Sequence, residues 1–172
     1  MKTGMVRRID ELGRIVIPKE IRRNLKLNMG DIVEIYVEDN KILLKRFSTL
    51  LGLEEDLFNI AKVINEQTNA TILFVDQDKV IVGYGKYSEL YLDKEISQQL
   101  YHKINENNFT RFKGTYLIHD YLEERNAYVA SLYAKNTIQG LFIVIENDHA
   151  IVQNDIDLIQ QFKKFIMKQL DS

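Results

Sequence analysis

Residues 4–23 read GMVRRIDELGRIVIPKEIRR, and the fold of the first quarter of the chain follows from this stretch. Its apolar residues form two short runs, 4–9 and 13–17, which we predict as strands separated by a polar loop. The β-branched run Ile15–Ile17 is typical of a strand that is covered on both faces. Pro18 opens a predicted short helix, because a proline at the first helical position loses no hydrogen bond.

The next part of the chain has the pattern of a β-hairpin. Residues 32–37 alternate between two faces, and Asp39-Asn40 is a two-residue turn into a second strand at 41–46. A module of residues 1–47 is close to the lower size limit for a domain that folds alone, and the chain has no Cys for a disulfide. Since apolar residues occupy both faces of its strands, we predict that two chains share one barrel.

Charge is distributed unevenly along the chain. The 172 residues have a formal net charge of −2, which taken alone argues against a nucleic-acid partner. Residues 1–47 carry 11 Lys+Arg against 7 Asp+Glu, whereas residues 48–172 carry 12 against 18. This division predicts a basic module that faces a polyanion and an acidic module that does not.

The stretch Gly4–Arg23 resembles the signature of AbrB-type transition-state regulators, and the resemblance continues more loosely from Asp31 to Lys45. It implies a mostly-β, dimeric swapped-hairpin barrel that binds double-stranded DNA. Arginine suits such a surface, because its planar fork of donors matches phosphate and base edges. The candidate DNA-binding residues are Arg7, Arg8, Arg14, Lys19, Arg22 and Arg23.

Residues 48–56 are predicted as a linker that leads into a helix. Five apolar residues recur at the 3-4-3-4 spacing of a coiled-coil seam, and they are Leu50, Leu53, Leu57, Ile60 and Ile64. Two interpretations stay open, which are an oligomer seam between subunits and an amphipathic helix packed on its own domain.

Residues 57–172 are predicted as an α/β domain. We expect a pair of strands at 71–75 and 79–84, followed by a helix at 93–106. Three strands follow, near 114–119, at 126–134 and at 137–146, and a final helix runs from about Asn154 to Leu170. This order resembles a GAF domain, which implies a sensor or oligomerisation module. A small-molecule effector is implied as an option, and the sequence does not identify its pocket residues.

The two modules together resemble sporulation-type transcription regulators. This resemblance implies a homodimer through the first module and a homotetramer through the second. The longest apolar runs are about five residues, such as Leu141–Ile145, far short of the ~20 that span a membrane. We therefore expect no membrane partner and a cytoplasmic, nucleoid-associated protein.

Enzymatic function has little support in the sequence. The absence of Cys excludes thiolate zinc sites and a Cys nucleophile, and His102, His119 and His149 lack ligand spacing. We predict no catalytic residue, no metal and no cofactor. The alternative function is an antitoxin-like module that binds a protein partner. The patterned apolar second module argues against it, because related antitoxins usually carry a short disordered tail.

Overall fold

The structure is a computed structural model that describes residues 4–25, 27, 29–97, 100, 109–118, 124–134 and 137–171. The chain divides into two compact units, Met1–Phe47 and Ser48–Ser172, which we call the head and the tail. Each unit is described by itself below.

The head contains one short helix and one hairpin, which are α1 (Lys19–Asn24), β1 (Val33–Glu38) and β2 (Lys41–Arg46). The two strands pair antiparallel without a register shift, as the sequence pattern predicted. Asp39 and Asn40 have positive φ angles of 47° and 58°, which is the backbone of a type I′ turn. Short polar residues adopt this conformation more readily than others, so the turn residues close the hairpin.

The strands predicted at 4–9 and 13–17 are not formed within one chain. Residues 4–10 and 14–18 have no regular secondary structure, since a strand requires a neighbour and β1 and β2 pair with each other. Pro18 precedes α1 instead of lying in its first turn, because its ψ of 147° is extended.

Apolar side chains of the head remain largely uncovered. Leu27 is the one described head residue that is buried. Sixteen other large apolar side chains of the head are exposed, among them Val16 at 76% and Val37 at 79%. Those that belong to the hairpin lie on both of its faces, as Val37 and its neighbour Tyr36 show. A single head therefore buries almost no core of its own.

Among the described residues of the tail, five strands form one antiparallel sheet. One described helix precedes these strands in the chain and another follows them. The strands are β3 (Thr71–Asp76), β4 (Lys79–Tyr84), β5 (Thr110–Tyr116), β6 (Glu124–Ala134) and β7 (Thr137–Ile145), in the order β4-β3-β7-β6-β5. Two α-helices with described bounds accompany the sheet, α2 (Glu54–Thr68) and α3 (Gln153–Leu170). The strand pair predicted at 71–75 and 79–84 is confirmed.

Both faces of the tail sheet are covered. On one face, α2 and α3 pack over Phe74 and Phe142, whose rings stack with centroids 4.9 Å apart. On the opposite face, alternate residues of the same strands such as Leu73 pack with Tyr91 and Leu100. All six residues of β3 are buried, which explains why this strand reads as a continuous apolar run.

The residues predicted as an oligomer seam are covered by the tail itself. Leu57, Ile60 and Ile64 are buried in the core between α2 and the sheet, and Leu53 packs at its margin. Leu50 is fully buried and lies before α2, which begins at Glu54. The structure therefore corrects the seam prediction in favour of packing within one domain, because a 3-4 stripe does not specify which surface covers it.

The segment before α2 is anchored to the sheet. The Ser48 hydroxyl donates a hydrogen bond of 2.6 Å to Asp76 and accepts one of 3.2 Å from the N–H of Leu50. The Thr49 hydroxyl donates to the Gln139 side chain at 3.1 Å. These contacts hold Leu50 in the core from the first residues of the tail.

Two predicted helix boundaries in the tail require correction. Helix α3 begins at Gln153, and its N-cap is Val152, whose N–H donates to Asp155 at 3.0 Å. Asn154, the predicted cap, lies in the first turn. The helix predicted over 93–106 does not begin at residue 93. Its start is a turn and an isolated bridge from Ile96 to Ile118, since a pairing distant in sequence outweighs the local helical pattern. Residues 101–106 lie outside the described residues.

The third predicted strand of the tail is displaced along the chain. Strand β5 begins at Thr110, about four residues before the position that the sequence indicated. A bulge interrupts its pairing with β6 between Phe112 and Thr115. The bulge explains the error, because it breaks the period-2 alternation on which the prediction relied.

We predict that Leu50→Ala lowers the free energy of unfolding of the tail by about 2–5 kcal/mol, because it opens a cavity at a fully buried site. Leu51→Ala is the matched control, since the adjacent Leu51 is 41% exposed. We expect it to cost less than about 1 kcal/mol. Urea unfolding of the full chain measures both, followed by tyrosine fluorescence, because eight of the nine tyrosines lie in the tail and the chain has no Trp. Equal losses would contradict the anchoring of Leu50.

We predict that Gly140→Ala destabilises the tail by about 1–3 kcal/mol through overpacking. A Cβ at position 140 would overlap the Val75 carbonyl oxygen and the Leu50 side chain, and backbone cannot move aside cheaply. Gly83→Ala in the same sheet is the control, since its nearest neighbour is the end of the Leu73 side chain at 3.2 Å. In urea unfolding, Gly140→Ala should have a clearly lower free energy of unfolding than Gly83→Ala. The reverse order would contradict this account.

Candidate nucleic-acid interface

All six candidate DNA-binding residues have exposed side chains. Arg7 and Arg8 lie in the segment without regular secondary structure before the first turn of the head, and Arg14 follows that turn. The other three lie on α1, which therefore carries half of the candidates. The head places these charges at its surface over a span of 17 residues, from 7 to 23.

Helix α1 brings three basic side chains onto one face. Lys19 is three and four residues from Arg22 and Arg23, which is the spacing of neighbours on a helix surface. Arg22 and Arg23 lie in the last turn, where positive charge interacts favourably with the helix dipole. The Pro18 carbonyl accepts the N–H of Arg22 at 3.0 Å, which is the first hydrogen bond of the helix. Pro18 is therefore the N-cap, and the helix begins at Lys19.

The turn before Arg14 is organised by the carboxylate of Asp10. Its Oδ1 accepts the backbone N–H groups of Leu12 at 3.0 Å and of Arg14 at 2.8 Å. Its Oδ2 accepts the Arg14 Nε–H at 2.8 Å. The Gly13 N–H donates to the Asp10 carbonyl at 2.9 Å, and Gly13 has a φ of +76° that favours glycine. One carboxylate thus closes the turn and contacts a candidate DNA-binding side chain.

The hydrogen bonds to Asp10 stabilise its charged form. The backbone N–H of Arg14, followed by its guanidinium, lowers the pKa of Asp10 from its ordinary value. Asp10 is therefore ionised at neutral pH. Since its pKa is lowered on folding, the turn gains stability above the ordinary carboxyl pKa and loses it as the pH falls through the folded-state pKa.

Sequence reasoning missed the part that Asp10 plays in forming this turn. A signal was present, because an aspartate that hydrogen-bonds the backbone two residues further on is a common way to form a turn. The following Gly13 strengthens that signal, since it permits the left-handed backbone. The sequence pattern places Asp10 in the polar loop between the two predicted strands, but it does not show which groups the carboxylate binds.

Two further arginine contacts in the head show that its basic residues differ in their availability. Arg7 donates from Nη1 to the carbonyl of its neighbour Val6 at 3.0 Å, a local contact at an exposed site. Arg46 is paired with Asp31 at 3.4 Å, with only 16% and 7% of the two side chains exposed. Arg46 therefore belongs to the base of the hairpin rather than to the exposed set.

The tail shows no comparable chemical site among its described residues. No group of three His, Asp or Glu side chains in the described part of the chain could hold a metal ion. Ser131 is buried, and His119 lies outside the described residues. No helix in the described ranges is long and apolar enough to cross a membrane.

The head matches known DNA-recognition and antitoxin domains. A family profile described as "Antidote-toxin recognition MazE, bacterial antitoxin" matches residues 6–46. The transition state regulatory protein AbrB of Bacillus subtilis (strain 168) is 58% identical over 45 residues, which are 26% of this chain and 47% of AbrB. The resemblance to AbrB-type regulators found in residues 4–23 is confirmed.

Two solved structures of AbrB are similar to the head. The solution structure of the N-domain of the transcription factor AbrB is 54% identical, with a TM-score of 0.27, and covers 28% of this chain and 92% of that one. A refined structure of the N-terminal DNA recognition domain of AbrB is 55% identical, with a TM-score of 0.25, and covers 27% and 89%.

A longer relative spans both units. Stage V sporulation protein T of Bacillus subtilis (strain 168) is 30% identical over 174 residues, which cover 98% of this chain and 98% of the relative. The match includes the tail, which the AbrB matches do not reach. The chain therefore belongs to the stage V sporulation protein T family and carries an N-terminal domain of the MazE/AbrB type.

Proposed function

We propose that this chain is a DNA-binding transcription regulator whose head contacts double-stranded DNA with its exposed arginines. The observation that carries the proposal is the set of six exposed basic side chains at 7–23, in a head that is 58% identical to AbrB. The corresponding solved domain of AbrB is named for DNA recognition. We propose Arg7, Arg8, Arg14, Lys19, Arg22 and Arg23 as the DNA-contacting residues.

The charge distribution supports this proposal. Residues 1–47 have an excess of four positive charges, whereas the rest of the chain has an excess of six negative charges. Arginine donates paired hydrogen bonds to phosphate, and a dimer presents each arginine twice. If two heads make about six to eight phosphate contacts, log affinity should fall with log salt at a slope of roughly −5 to −7. The acidic tail would limit non-specific coating of DNA.

We propose that two heads form one swapped-hairpin barrel. The support comes from the exposed apolar side chains on both faces of the β1–β2 hairpin. Residues 4–10 and 14–18 are free of ladder pairing in one chain, so a second chain can supply neighbouring strands for them. A shared barrel would bury Val16 and Val37, which are 76% and 79% exposed in one head.

We propose that the tail is a GAF-like module for tetramerisation and sensing. Its order of helix, two strands, three strands and helix, with both helices on one face of the sheet, supports that assignment. Phe165 on α3 is 51% exposed and offers apolar surface for a contact between tails. A small-molecule effector would control DNA binding only by binding one arrangement of the heads more tightly than another. We assign no enzymatic step to the tail and place the protein on the nucleoid in the cytoplasm.

A second candidate function is antitoxin-like binding of a protein partner. It is favoured by the match of the MazE antitoxin profile to residues 6–46. Copurification from the native host discriminates the two functions. A small protein recovered in stoichiometric amount would favour the antitoxin. Recovery of DNA fragments that are released when the salt concentration is raised would favour the regulator.

We predict that Arg14→Ala combined with Arg23→Ala weakens binding to promoter DNA by about 100-fold or more, because a dimer loses four charge-assisted contacts. Fluorescence anisotropy between about 50 and 200 mM salt measures affinity and slope, and the slope should become shallower. Lys41→Ala combined with Lys45→Ala removes the same charge from exposed sites outside the candidate set and should have a much smaller effect. An unmodified protein whose affinity hardly changes with salt would contradict the proposal.

We predict that Val37→Lys reduces the mass of the assembly from four chains to two, measured by light scattering after size exclusion. In a lone head this side chain is 79% exposed and a lysine would cost less than about 0.5 kcal/mol, whereas in a shared barrel the charge would be buried. The adjacent exposed Glu38→Lys is the control and should keep the larger mass. Retention of the larger mass by Val37→Lys would contradict the shared barrel.

A further inference from the structure

We propose that Asp10 is a positioning residue for DNA binding, which closes the Asp10–Arg14 turn and orients the Arg14 guanidinium for DNA. This inference rests on the proposed function, in which Arg14 contacts DNA. It assigns a functional role to an acidic side chain on the surface that should bind a polyanion.

The two carboxylate oxygens of Asp10 bind different groups, one the backbone of the turn and the other the Arg14 side chain. Oδ1 accepts the N–H groups of Leu12 and Arg14, which holds the backbone of the turn. Oδ2 accepts Nε–H of Arg14 at 2.8 Å, which restricts the side chain. The two groups of contacts reinforce each other, because each holds the carboxylate in the orientation that the other requires.

This arrangement differs from an ordinary surface ion pair. The side chains of Arg14 and Asp10 are 70% and 42% exposed, and an exposed pair at this spacing contributes little stability by itself. The pair can still affect the free energy of DNA binding, because an arginine that is free to rotate loses about 2 kcal/mol of side-chain entropy when a partner immobilises it. A turn that already orients Arg14 would reduce this cost before DNA arrives.

The contact also leaves the useful edge of the guanidinium available. Arginine has five N–H donors, and Asp10 uses only the one on Nε. The four donors on Nη1 and Nη2 form the end of the fork that pairs with phosphate or with guanine. Asp10 therefore contacts the Nε edge of the Arg14 guanidinium and leaves its four Nη donors for DNA.

Charge alone makes the opposite prediction about Asp10. A carboxylate near DNA repels phosphate, so removing it should strengthen binding if its charge were its only effect. Removing a positioning residue should instead weaken binding. The sign of the change therefore separates the two accounts.

The experiment compares Asp10→Ala and Asp10→Asn with Glu11→Gln in the full chain, using promoter duplex and fluorescence anisotropy. Glu11 is the adjacent acidic residue, is exposed and makes no hydrogen bond or ion pair with another described residue. We expect Asp10→Ala to weaken binding about 10-fold, which corresponds to about 1.4 kcal/mol. Asp10→Asn should lose less, since its amide oxygen still accepts the backbone N–H groups. Glu11→Gln should bind equally or more tightly.

A double-mutant cycle tests whether Asp10 acts through Arg14. In an Arg14→Ala background, Asp10→Ala should cause less than about a two-fold further loss. An undiminished 10-fold loss would show that Asp10 acts elsewhere and would overturn the proposal. Thermal unfolding and circular dichroism of each variant exclude a loss of fold, and Asp10→Asn supplies the test if Asp10→Ala unfolds.

An independent readout follows the Asp10 carboxyl carbon by NMR as the pH is lowered without DNA. The pKa of Asp10 should lie below its ordinary value, because Arg14 stabilises the carboxylate. Arg14→Ala should raise this pKa only part of the way, since the backbone N–H at position 14 still donates. An unchanged pKa in Arg14→Ala would overturn the side-chain contact.

The outcomes also separate this inference from the proposed function. If the unmodified protein does not bind DNA, the proposed function fails. If Arg14→Ala binds as tightly as the unmodified protein, Arg14 is not a DNA contact and the positioning role of Asp10 fails with it. If Arg14→Ala loses affinity while Asp10→Ala keeps or gains it, the proposed function stands and the positioning role of Asp10 fails.

Discussion

The stability of the head depends on apolar surface that the described elements of the head leave uncovered. A unit of residues 1–47 has one buried described side chain, Leu27, while large apolar residues on both faces of its hairpin remain exposed. Hydrophobic burial is the main favourable term in folding, so a unit without a core requires a second surface to be stable. The proposed pairing of two heads would satisfy this requirement, and it would also double the number of arginines that face DNA.

The tail meets the same requirement within one chain. Its sheet is covered by α2 and α3 on one face and by a second apolar cluster on the other, so its core is complete. Leu50 and the hydrogen bonds of Ser48 and Thr49 tie the first residues of the tail to this core. A stable tail is therefore a suitable base for the two roles that we propose for it, which are assembly and sensing.

The proposed interface combines charge with local order. Helix α1 aligns Lys19, Arg22 and Arg23 on one face, while Asp10 holds the turn that carries Arg14. Net charge explains attraction to DNA, but it does not orient a guanidinium. The acidic residue in this basic surface therefore has a physical reason to be there, since preorganisation offsets the repulsion that its charge creates.

Local periodicity, turn residues and charge were enough to predict the two modules, the β1–β2 hairpin, the sheet pair at 71–84 and the basic surface. The other features depend on contacts between residues that are distant in sequence. The stripe through Leu57 and Ile64 is covered by its own sheet, and Ile96 joins a bridge to Ile118 instead of a helix. Local spacing shows that a face is apolar, whereas contacts distant in sequence decide what covers it. The same reason applies to Asp10, since only the closed turn shows which groups its carboxylate binds.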